Sequence, residues 1–133
     1  MNNRIIKFRA WDKVAKKMYQ EAYLSPDLGI EVTVRTLESA IHKGYGADRI
    51  KKDFGYDEAV LMQFTGLKDA KGKEIYEGDI VSDSRKGEVY WDEDSLQWWV
   101  KIEGTLPNVK LCTQDRNLFS IIGNIYESPE LLK

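Results

Sequence analysis

Asp12, Glu77 and Asp79 are the side chains of this sequence best suited to metal chemistry. Gathered around a Mg²⁺ ion, they would give a metal-dependent hydrolase acting by phosphoryl transfer, because hard cations take carboxylate oxygens. Nothing in their spacing gathers them, so this reading ranks behind the two binding readings developed below. Asp92 and Asp94 have the alternation that opens a calcium loop, but Gln97 stands where that loop needs glycine. A hydrated turn accounts for them better. Nucleophilic chemistry has one histidine, His42, and one cysteine, Cys112. Cys112 lies between Leu111 and Thr113 in a strand-like run, where a buried, inert thiol is the common outcome. A structural zinc site needs more ligands than these. The expectation is no catalytic residue, no metal and no cofactor.

Glycines pose the next question. Gly66, Gly72 and Gly78 punctuate "FTGLKDAKGKEIYEGDIV", residues 64–81. A phosphate-binding loop would follow its Gly-Lys with Ser or Thr and enter a helix, whereas Gly72-Lys73 is followed by Glu74 and a strand-like run. Turns explain more. Residues 68–73 read as a polar hairpin loop with Gly72 free to take positive φ, and Glu77-Gly78-Asp79 as a second corner. The Asp79 carboxylate can accept nearby backbone N–H groups there.

Binding chemistry is better supplied. The chain carries four tryptophans and seven tyrosines, enough to furnish a surface as well as a core. Alternation over 87–92 and 96–103 puts Trp91 and Trp98 toward the core, and Tyr90, Trp99, Gln97 and Lys101 on the opposite face. An aromatic pair on a polar sheet face is a natural anchor for a protein partner or a second copy; it could also stack nucleic-acid bases, though its neighbours Glu88, Asp92 and Glu103 would repel phosphate. It can also be an internal contact, covered by another element. Basic residues crowd the front: Lys7 and Arg9 on one strand face, then Lys13, Lys16 and Lys17. With Trp11 to stack a base, they form the candidate nucleic-acid set. The solvated-face reading stands beside it, because a run of charge is usually a hydrated face and the net charge of -2 gives no push toward nucleic acid.

The elements that must position these residues are mostly strands. "IIKFRAW" and "MYQEAYL" flank a polar loop and predict an N-terminal β-hairpin over 1–24. Residues 25–58 read as a partly helical excursion, with a helix over 36–43 stopped by Gly44 and Gly46. From 59 to 133, short alternating runs separated by Gly and Asp predict a small, barrel-like antiparallel sheet of SH3-like layout. Ser128-Pro129-Glu130 opens a short C-terminal helix. The expected class is α+β, mainly β, in a single domain. No internal repeat stands out.

A hydrophobic fraction of 42% beside 32% charged residues belongs to a globular chain rather than a disordered one. No run reaches the roughly 18 apolar residues of a membrane span. The N-terminus lacks the apolar stretch of a signal peptide, and a lone cysteine fits a reducing compartment. A cytoplasmic protein is expected. "KFRAWD" at 7–12, "MQFTGLKDAKGKEIYEGDIV" at 62–81 and "IGNIYESPELL" at 122–132 resemble the YopX family of bacteriophage and prophage proteins. The resemblance covers about half of the chain and is weak over 25–58 and 83–117. It implies a phage or prophage origin and expression inside a bacterial host. It implies no reaction, so no catalytic residue is carried over.

Overall fold

Alternating apolar and polar residues, interrupted every few positions by Gly or Asp, give a chain built almost entirely of antiparallel strands. The computed structural model describes residues 5–25, 29–34, 50–54, 58–104, 107–111 and 119–132. In chain order the strands are β1 (Phe8–Asp12), β2 (Lys17–Ser25), β3 (Gly29–Val34), β4 (Ile50–Phe54), β5 (Ala59–Lys68) and β6 (Glu74–Tyr76). They continue as β7 (Asp79–Ser82), β8 (Lys86–Asp92), β9 (Gln97–Ile102), β10 (Val109–Lys110) and β11 (Ser120–Asn124). Among the described residues, no helix is long and apolar enough to cross a membrane.

Two compact units divide the chain, one of residues 7–62 and one of 63–133 with the first six residues. In the first, β1 and β2 pair antiparallel, but they are not a hairpin standing alone. β3 and β4 extend the sheet beyond β2, and β1 is flanked on its other side by β5, where the Lys13 N–H donates to the Glu58 carbonyl at 3.2 Å. Ala10, Tyr19, Ala22, Ile30 and Ala59 form its core. The described part of 25–58 is strand, not helix; the helix expected over 36–43 and the His42 within it lie outside the described residues. So does Cys112.

The second unit holds a five-stranded sheet in the order β10-β9-β8-β7-β11. Its core is Ile75, Val81, Val89, Trp98, Val100, Ile102, Leu111 and Phe119. The expected C-terminal helix is only one 3-10 turn, Pro129–Leu132. Before it, Asn124 Oδ1 accepts the N–H of Tyr126 (3.0 Å) and Glu127 (2.8 Å), so the chain turns immediately after β11. Gly66 also departs from its expected role. It lies inside β5 with φ +87°, where the register against β6 shifts, and so marks a bulge rather than a turn.

Two hairpins, one in each unit, have turns where the sequence places them, and the two turns share one backbone conformation. Asp12 pairs with Lys17 and Asp92 with Gln97, each across four turn residues. Asp12 Oδ1 accepts the N–H of Val14 and Ala15, and Asp92 Oδ2 accepts the N–H and Oγ–H of Ser95. Each turn ends on a left-handed residue that is not glycine: Lys16 at φ +57° and Leu96 at φ +55°. A side chain there costs about 1 kcal/mol or more. Leu96 is 69% exposed and so contributes little packing in return. Leu96→Gly is therefore expected to raise stability by about 0.5–1 kcal/mol. Thermal melts of the two proteins side by side check this, and a lower melting point for the variant would contradict it.

Candidate functional site

Register on β8 and β9 sorts their side chains. Val89 opposes Val100 and Trp91 opposes Trp98, whereas Glu88 opposes Lys101, Tyr90 opposes Trp99 and Asp92 opposes Gln97. Val89 and Val100 are fully buried, which makes theirs the core face. The other face therefore carries Tyr90, Trp99, Gln97 and Lys101 together, as the alternation predicts. Lys110 of β10 pairs with Trp99 and extends the same face. Trp91 is less buried than expected. It is 36% exposed at the core rim, its ring packed edge-on to Trp98 with centroids 5.0 Å apart.

Tyr90 and Trp99 are half-buried and held by their polar atoms. The Trp99 Nε1–H donates to Ser95 Oγ at 2.8 Å, and that hydroxyl donates to Asp92 at 2.6 Å. Asn108 Nδ2 donates to the Tyr90 hydroxyl at 3.2 Å, while Asn108 Oδ1 accepts the Ile102 N–H at 3.2 Å. Both rings are thus oriented before anything binds, which reduces the entropy lost on association. Glu88, Tyr90, Lys101 and Asn108 line an open concavity of about 390 Å³. Burial pushes the Glu88 carboxyl above its ordinary range; Lys101 opposes that shift and Glu77 adds to it. Asn108 was missed because it lies in a loop, where no periodicity points to its partners Tyr90 and Ile102.

The basic set does not stay together on a surface. Arg9 and Trp11 are each only 6% exposed, because β1 has neighbours on both edges and is buried on both faces. Neither is placed to meet phosphate or stack a base. Lys7 is half-buried. Lys13, Lys16 and Lys17 are exposed, with the Lys17 ammonium 5.2 Å from the centre of the Tyr19 ring.

The carboxylates serve turns. Asp12 closes the first hairpin, and Asp79, 2% exposed, accepts the Tyr76 N–H at 2.7 Å. Glu77 Oε1 accepts the Gln63 N–H at 3.4 Å. Among the described residues, no three His, Cys, Asp or Glu side chains are grouped to hold a metal. Gly72 (φ +83°) and Gly78 (φ +87°) sit in the corners expected of them. The sequence reading overlooked Asp69 in this stretch. It is 5% exposed; Oδ1 accepts the N–H of Lys71 (2.9 Å) and Lys73 (2.8 Å), and Oδ2 that of Ile121 (2.9 Å).

No curated protein matches this chain. Among solved structures it is similar to the crystal structure of protein EF1440 from Enterococcus faecalis, with 26% identity and a TM-score of 0.65. That likeness covers 98% of this chain and all of the other. The family model described as YopX protein matches residues 7–133, nearly the whole chain, with the Asp12, Asp69, Asp79 and Asn124 turns inside it. The chain belongs to the YopX family.

Proposed function

We propose that this chain is a phage- or prophage-encoded interaction protein of the bacterial cytoplasm, without catalysis of its own, that binds protein partners or a second copy through the β8–β9 face. One observation carries this reading: the Tyr90–Trp99 cross-strand pair is half-buried, oriented by hydrogen bonds and set beside an open concavity. Aromatic anchors of this kind dominate the energetics of protein interfaces. The meander β7-β8-β9-β10, with β11 beside β7, supports an SH3-like barrel as the scaffold. A nucleic-acid reading now rests on Lys7, Lys13, Lys16 and Lys17, since Arg9 and Trp11 are buried.

A Tyr90→Ala, Trp99→Ala double variant is expected to stay folded and to lose its partners or its self-association. Sedimentation of the purified protein, and capture of partners from host lysate after nuclease treatment, measure the two outcomes. A folded double variant with unchanged assembly mass and every partner retained would sink the proposal.

A further inference from the structure

Building on that interface reading, we infer that the β8–β9 concavity receives a basic side chain of the partner, a guanidinium or primary ammonium, with the Glu88 carboxylate as its acceptor and the Tyr90 ring as its aromatic wall, Trp99 standing across the strands from Tyr90. Glu88 is half-buried in the lining, and no described residue donates a hydrogen bond to it or closes an ion pair with it. Lys101 stands directly across the strands, but it is exposed and does not complete that pair. A carboxylate withdrawn from water without a donor is poorly solvated, which is why burial leads the causes of its raised pKa.

The surrounding charges favour a cation. Glu77 faces Glu88 closely enough to disfavour its ionisation, and Asp92 lies on the same face next to Trp99. Lys101 and Lys110 oppose these three carboxylates and leave one negative charge in excess. An acidic ligand would meet Glu88 and Glu77, and an apolar one would seal Glu88 away from water with no donor. A guanidinium brings paired N–H donors in a fork that fits a carboxylate, and its flat face stacks on aromatic rings. The oriented Tyr90 ring beside the Glu88 carboxylate supplies both partners of that recognition.

The test is an NMR titration of the isotope-labelled chain with N-acetyl-arginine methylamide, run beside the N-acetyl-norleucine and N-acetyl-glutamate methylamides. The arginine amide is expected to shift the signals of Glu88, Tyr90, Trp99 and Lys101 and to bind about tenfold more tightly than norleucine. At saturation the Glu88 pKa should fall, because a cation beside a carboxylate favours its charged form. Glu88→Gln keeps the shape and should abolish the preference for arginine. Equal binding of the arginine and norleucine amides, a preference that survives Glu88→Gln, or no shift with arginine at millimolar concentration would each overturn this inference. None of these would touch the interface reading, which stands or falls on the Tyr90 and Trp99 variant.

Discussion

Asp69→Ala is expected to cost about 3 kcal/mol of stability, because three backbone N–H groups lose a charged acceptor at once. Two belong to the 69–73 loop and one to Ile121, which is remote in sequence. Nothing else in the loop replaces that span: the Asp69 N–H and the Asp69 carbonyl are already used by Lys73 and Gly72. For Asp69 itself, burial works to raise the carboxyl pKa. The N–H groups of Ile121, Lys73 and Lys71 and the charge of Lys73 outweigh it, so the pKa lies below its ordinary 3.8. A depressed carboxyl contributes stability above its unfolded pKa and loses it as pH falls through the folded value. Urea unfolding followed by tryptophan fluorescence, from neutral pH down to about pH 3, checks both claims. The wild type should lose this contribution on acidification, and Asp69→Ala should lack that part of the pH dependence. A variant within about 0.5 kcal/mol of wild type at neutral pH would mean that the loop is held by something else.

Gly87→Ala should be comparably damaging for a different reason. Gly87 lies in β8 between Val81 and Ile102, and a Cβ placed on it would stand 2.5 Å from the Lys101 carbonyl oxygen and 2.6 Å from Val100 Cγ1. The oxygen belongs to backbone, so β9 itself must move. A loss of about 2–3 kcal/mol is expected, at the upper end for an overpacked site. Gly72→Ala is the informative control. Its Cβ would meet nothing within 4 Å, and only its φ of +83° is strained, so about 1 kcal/mol should be lost. Chemical denaturation of both variants separates crowding from backbone strain. If the two losses were equal, close approach of β9 would not be the reason for glycine at 87.

What the sequence made legible was local. Alternation located β8 and β9 and placed Tyr90 and Trp99 on one face, because one face of that sheet is apolar and the other is not; that the two stand directly opposite each other is a matter of register. The same alternation misplaced Arg9, since periodicity along one strand does not reveal that both faces will be covered. Asp69 read as one polar loop residue among several because its partner Ile121 is 52 positions away. The turns at 13–16 and 93–96 were each legible, but their likeness was not, for the opposite reason. They share an aspartate and a left-handed fourth residue, but one is basic and the other acidic, so composition conceals a common backbone.

The 69–73 loop has a consequence for assembly. β11 is an outer strand of its sheet, and its backbone would ordinarily be a template on which another chain could add a strand. Here the loop occupies that template: the Ala70 N–H donates to the Phe119 carbonyl at 2.9 Å, and the Ile121 N–H is taken by Asp69. Strand addition, the route to domain swapping and fibrils, is hindered at Phe119 and Ile121 as long as the aspartate holds. The Ile121 amide is thereby closed to backbone pairing with a second chain.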